Sequence, residues 1–137
     1  MSAATRAEDP GVRRPDPPRR TSEDGEMIAD VSCALAVLRG KWKVPLLFFM
    51  ARGVHRHGSL LDCLPGVSKK VMTDALRALE RDGLVRRTSV VDLPSPVEYS
   101  LTALGWTMTE PLIALSDWGA THAGQVSAAR KRFGKEL

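Results

Sequence analysis

Five residues set the chemistry open to this chain: Lys69, Lys70, Thr73, Asp74 and Arg77. They fall off an apolar stripe, Val71, Met72, Ala75, Leu76 and Leu79, that recurs at helical intervals. The spacing predicts a helix with an apolar rear and a front of cations and short polar groups near its N-terminal end. Arginine suits guanine through a two-pronged hydrogen bond, whereas lysine more often supplies charge. A helix that presents its first turns to a major groove needs this arrangement. Ser68 is a good N-cap, its side-chain oxygen accepting a free backbone N–H of the first turn, and Gly83 is a good stop. Alone, the same pattern also describes an ordinary amphipathic surface helix. The neighbouring segments separate the two readings.

Upstream, residues 59–64 read as a short helix and Pro65-Gly66-Val67 as a turn. Helix, three-residue turn, helix is the helix-turn-helix signature. Downstream, residues 84–91 have the β-branched content of a strand, 92–96 form a Pro-bearing loop, and 97–101 alternate as a returning strand. A hairpin directly after such a helix is a wing. The expected fold is therefore mainly α with a small β-hairpin wing. Lys69, Lys70, Thr73 and Arg77, with Ser68 at the cap, are expected to meet bases or phosphates of double-stranded DNA, and Arg56, Arg86 and Arg87 mainly the backbone. Arg86 and Arg87 at the base of the wing are expected to extend the basic surface.

The remaining segments must hold this unit. Ile28, Val31, Leu35 and Leu38 step by three and four, predicting a helix over 27–38 ended by Gly40. A second helix runs to about Ala51, with Pro45 tolerable only in its first turn. Its Trp42, Leu46, Leu47, Phe48 and Phe49 make it the expected centre of the core. Thr102 caps a helix over 103–109, and Glu110-Pro111 restarts or kinks it. Leu104, Met108, Leu112, Leu115 and Trp118 then form a stripe with little left in the chain to cover it, so a second subunit is its natural cover. Residues 1–26, rich in Pro, Arg and acids and nearly free of apolar side chains, are expected to be a disordered tail. Residues 27–125 form the DNA-binding and dimerisation domain, and 126–137 a basic tail expected to fray.

Composition agrees with one domain of 137 residues. No apolar run of about 18 residues and no signal-peptide pattern occurs, which predicts a soluble cytoplasmic protein without a membrane partner. Cys33 and Cys63 are too few for a disulfide scaffold and fit a reducing compartment. The net charge is +4, yet between Arg39 and Arg87 eleven Lys/Arg face four Asp/Glu, a local surplus of seven. A basic block inside a folded region suggests a polyanion as partner. His55, His57 and Cys63 lack a second His/Cys pair at ligand spacing, so no metal is expected. No Ser/His/Asp order, phosphate loop or paired carboxylates has usable spacing, so neither catalysis nor a cofactor is expected.

Taken in order, the segments resemble the HxlR-type bacterial transcription regulators, a MarR-related branch of the winged-helix repressors. The resemblance covers about residues 28–119. It rests on Gly40-Lys41-Trp42, Arg56, Pro65-Gly66-Val67-Ser68, the run from Leu76 to Arg87, Val97-Glu98-Tyr99-Ser100-Leu101-Thr102 with Gly105, and Trp118-Gly119. It implies a homodimer on a pseudo-palindromic operator, no enzymatic activity, and terminal helices at the dimer interface, where Ile28, Leu112, Leu115 and Trp118 would lie. Many such proteins carry a sensing cysteine ahead of the Gly-Lys-Trp motif; Ala29 stands there, and Cys33 lies one helical turn further on. That displacement counts against thiol sensing: Cys33 is a candidate oxidant sensor, set against an unidentified small-molecule effector, no effector at all, and a thiol that only packs. The usual Arg-Phe pair reads Arg56-His57, exchanging a packing aromatic for an ionisable ring. The wing reads Pro94-Ser95-Pro96 and lacks the usual cation. The competing reading is a winged-helix protein-interaction module without operator binding, which would not need the outward cations.

Overall fold

The computed structural model describes residues 23–89 and 97–135. Positions 1–22 of the expected tail, the end of the first strand at Val90-Val91, the wing loop 92–96 and positions 136 and 137 lie outside the described residues. Among the described residues, six helices and one strand pair follow in order: α1 Glu23–Val37, α2 Lys43–Ala51, α3 His57–Cys63, α4 Lys69–Arg81, β1 Val85–Ser89, β2 Val97–Leu101, α5 Ala103–Thr107 and α6 Thr109–Lys135. The chain divides into two units, Met1–Ala36 and Val37–Leu137.

In the first unit, α1 begins four residues earlier than the apolar spacing predicts. Asp24 and Glu26 near its start suit the positive end of a helix dipole, a signal that apolar periodicity does not register. Met27, Ile28, Val31 and Leu35 are all about half exposed or more, and Cys33 is exposed with them.

In the second unit the core is one cluster. Leu46, Leu47 and Met50 of α2, Leu60 of α3, Leu64, Met72, Leu76 and Leu79 of α4, Leu84, Val85 of β1 and Tyr99 of β2 are all buried. Pro45 is the third residue of α2, where the missing N–H has no intrahelical acceptor to lose. Trp42 packs against the cluster. Phe48, expected in the core, is instead 49% exposed, and Val44 is open beside it. A helix apolar on every side cannot turn all of them to one core; the Arg52 guanidinium covers the Phe48 ring at 4.9 Å.

Helix α4 ends in a Schellman motif. Gly83 adopts φ +83°, Leu84 N–H donates to the Leu79 carbonyl at 2.9 Å, and Gly83 N–H donates to that of Glu80 at 3.0 Å. Leu84 is thereby turned inward, and β1 starts with its register already set. The strands pair antiparallel, Val85 opposite Leu101 and Arg87 opposite Tyr99. Thr102 N–H donates to the Leu84 carbonyl at 3.0 Å, and the Thr102 hydroxyl donates to the Gly83 carbonyl at 2.6 Å while accepting from Gly105 N–H. This brings α5 so close that a Cβ on Gly105 would stand 2.1 Å from the Leu84 carbonyl oxygen.

The break between α5 and α6 falls at Met108, with Pro111 third in the new helix, so the proline marks a restart. Helix α6 continues to Lys135, and residues 126–135 do not fray as expected. Their Ala, Arg and Lys content favours helix, and Arg132 and Lys135 in the last turn complement its negative end. The predicted stripe divides. Met108 and Leu112 pack on the chain's own core, whereas Leu104, Leu115 and Trp118 are more than half exposed. Between α2 and α6 lies an apolar groove of about 640 Å³, lined by Val44, Phe48, Arg52, Leu112 and Ile113 among others.

Gly105→Ala is expected to destabilise the fold by about 3 kcal/mol, because the added methyl meets backbone rather than a flexible side chain. Denaturant titration should show the midpoint fall, and a neutral result would mean α5 can shift away without loss.

Candidate nucleic-acid interface

The candidate interface centres on α4, and the turn before the helix sets its start. Val67 N–H donates to the Leu64 carbonyl at 3.3 Å, Gly66 takes φ +87°, and the Ser68 hydroxyl accepts Val71 N–H at 3.1 Å. This is the N-cap expected from the sequence. Met72, Leu76 and Leu79 are sealed from solvent, so Lys69, Lys70, Asp74 and Arg77 face outward and Thr73 lies at the margin, half-buried. Val71 departs from the predicted stripe: it is 45% exposed. At 100° per residue it sits a quarter turn from Met72, beyond the arc the core covers.

Pairing within this face is local and weak. The Lys70 ammonium lies 3.5 Å from the Asp74 carboxylate, one turn away, with both side chains mostly exposed. Such a pair contributes roughly 0.3–0.5 kcal/mol and leaves the lysine available to a stronger anion. The Arg56 Nε stands 3.9 Å from Glu98, and the two residues form an isolated antiparallel bridge. Arg77 and Lys69 are exposed cations on the same helix.

The hairpin does not unite Arg86 and Arg87. Successive strand residues face opposite ways, so Arg86 shares a face with Ser100, and Arg87 shares the other with Tyr99. Both are exposed, yet only one can continue any single surface.

No local spacing in the sequence points to a partner for His57. Its Nε2 lies 3.2 Å from the Thr73 hydroxyl, tying the start of α3 to the second turn of α4. Burial first, and the nearby Lys69 ammonium second, hold this imidazole below its ordinary pKa. His55 links the preceding segment to β2: its Nδ1 lies 3.0 Å from the Tyr99 carbonyl oxygen, and Tyr99 N–H donates to the His55 carbonyl at 2.7 Å. The one advance signal was the ring type at position 57, an ionisable group where the resemblance led one to expect phenylalanine. The Lys70–Asp74 pair was legible as an i,i+4 spacing. Among the described residues no group of three or more His, Cys, Asp or Glu converges on a metal position, and no helix is long and apolar enough to cross a membrane.

Comparison with known proteins matches the HxlR-like helix-turn-helix family over residues 37–127. The uncharacterised HTH-type transcriptional regulator YtfH of Escherichia coli is 35% identical over 111 residues, covering 79% of this chain and 88% of that protein. A solved transcriptional regulator of the MarR family from Enterococcus faecalis superposes with TM-score 0.64 at 34% identity, covering 82% of this chain and 98% of the other. The redox regulator HypR, in its reduced form, superposes with TM-score 0.69 at 32% identity over 72% of this chain and 98% of its own.

Ser68→Ala is expected to cost about 1 kcal/mol, because it orphans the Val71 N–H at the exposed start of α4. Ser68→Thr should recover most of that loss in the same denaturation assay; an unchanged midpoint for the alanine variant would mean water replaces the cap.

Proposed function

Because the chain belongs to the HxlR-like helix-turn-helix family of transcriptional regulators, we propose that it binds a pseudo-palindromic operator as a homodimer, one α4 entering each half-site. The observation that carries this reading is the two-sidedness of α4, sealed on Met72, Leu76 and Leu79 and open on Lys69, Lys70 and Arg77. A buried rear fixes the helix, and a cationic front of long side chains reaches bases and phosphates. Arg77 reads a base edge, Lys69 and Lys70 supply charge, and Ser68 and Thr73 add hydroxyl contacts near the helix start. Arg56 and the wing arginines Arg86 and Arg87 meet backbone phosphate, one arginine of the wing pair on each face.

The dimer seam is proposed to run through the terminal helices. Ile28 on α1 is 64% exposed, and Leu115 and Trp118 on α6 are 57% and 58% exposed. Covering such side chains contributes about 25 cal/mol for each Å² of apolar surface removed from water. Leu112 contributes less, since part of it packs on its own core. For an effector, HypR is named a redox regulator, and Cys33, exposed on α1, is a thiol that an oxidant can reach.

A footprint across the DNA upstream of the protein's own gene tests the reading, with protected half-sites expected about one helical turn apart. Arg77→Ala should cost about 1–3 kcal/mol and relax preference at one operator position, whereas Lys70→Ala should weaken all sequences alike and flatten the salt slope by about one ion. If neither variant changes affinity at moderate salt, α4 is not the contact and a protein-binding role takes its place.

Leu115→Asp should turn the dimer to monomer in sedimentation and lower operator affinity, since a carboxylate cannot be solvated in an apolar seam. A variant that stays dimeric would move the seam off this part of α6.

A further inference from the structure

His57 is an ionisable group that touches α4 from another element, and the operator-binding reading leaves it without a role. It opens α3 half-buried, with Nε2 3.2 Å from the Thr73 hydroxyl. The groups around it come from three elements. Helix α4 brings the Lys69 ammonium and Thr73, and its Asp74 is engaged by Lys70. Strand β2 brings the Tyr99 ring, centroid to centroid at 6.2 Å, and Glu98, which faces Arg56. The segment before α3 brings Arg56 and His55, the latter bound through Nδ1 to the Tyr99 carbonyl oxygen. The two carboxylates named here, Asp74 and Glu98, therefore each face a cation other than His57.

A neutral imidazole nitrogen either accepts the threonine O–H or donates to its oxygen; an imidazolium nitrogen only donates. Protonation of His57 thus removes the arrangement in which the ring accepts the Thr73 O–H, and leaves that hydrogen free to point outward. Resting on the operator-binding reading, we propose that His57 is a positioning residue for Thr73 that couples operator binding to proton uptake. Protonated, it donates to Thr73, releases the threonine O–H toward a base acceptor, and adds a cation beside the phosphate path. Free in solution, the chain disfavours the imidazolium through burial and through Lys69. Phosphate oxygens near the helix favour it. The bound state therefore has the higher pKa, and affinity rises as pH falls through the interval between the two. It levels off below the free-protein value, where both states are already protonated.

The experiment measures operator affinity by fluorescence anisotropy at constant salt between about pH 5.5 and about pH 8, the range in which histidine titrates. Wild type, His57→Gln, His57→Phe, His55→Asn and His122→Asn cover all three histidines of the chain. Glutamine keeps a polar partner for Thr73 without titrating, and phenylalanine keeps the aromatic volume, so loss of folding in one leaves the other as readout. Wild type should tighten toward acid by about tenfold per half-site for each unit by which DNA raises the imidazole pKa. Both His57 variants should be flat at the affinity of the neutral protein, while His55→Asn and His122→Asn keep the slope. Thr73→Ser should retain the acid-dependent gain in affinity and Thr73→Val should reduce it. A flat wild type, or a slope that survives in both His57 variants, overturns the coupling while leaving operator binding intact. Absence of salt-sensitive DNA binding at every pH overturns the operator reading as well, and the two failures are thereby told apart.

Discussion

The contact on which the rest depends is the burial of one face of α4. Met72, Leu76 and Leu79 share a solvent-free cluster with Leu46, Met50 and Leu60, all at or near zero exposure. Fully burying a side chain of this size contributes about 1.5–3 kcal/mol, so three of them fix the rotation of the helix far more firmly than any surface charge does. The outward direction of Lys69, Lys70 and Arg77 is a consequence. Turned by one residue in one sense, the helix would carry Thr73, Arg77 and Glu80 toward the core in place of Met72, Leu76 and Leu79. The specificity of the front is set by the apolar rear.

The backbone linkages around that helix hold its ends. At one end the Ser68 cap and the Gly66 turn define where α4 starts. At the other, the Schellman motif directs Leu84 inward and Thr102 bonds back to Gly83 and Leu84. The close approach of Gly105 to the Leu84 carbonyl joins the wing, α5 and the end of α4 into one rigid corner. The reciprocal bonds between His55 and Tyr99 tie β2 to the segment that precedes α3. Helix α4 is therefore braced at both ends by hydrogen bonds that are independent of its charges. Those charges stay in high dielectric, where their mutual pairs are weak and a polyanion can displace them.

Apolar surface left over in the fold lies on α1, on α2 beside the groove, and on α6. The exposed side chains are Met27, Ile28, Val31 and Leu35 on α1, Val44 and Phe48 on α2, and Ile113, Leu115, Trp118 and Phe133 on α6. The exposure of Leu115 and Trp118 beside the half-buried Leu112 marks where intrachain packing on α6 stops.

Local rules in the sequence determined most of the frame. Ser68, Gly83, Thr102 and Pro45 act within a few residues of themselves, so caps, stops and first turns were legible without a structure. The helix-turn-helix, the two strands and the split near Pro111 follow from the same short-range signals. Tertiary structure decided what depends on how many faces a core can cover. It put Phe48 and Val71 in solvent, divided the Leu104–Trp118 stripe, and set Arg86 and Arg87 on opposite faces of the hairpin. Apolar type alone does not say which residues win the limited buried area, and side chain alternation has consequences only once a strand is packed. The His57–Thr73 contact joins residues 16 apart through a packed corner, a relation that no local spacing encodes.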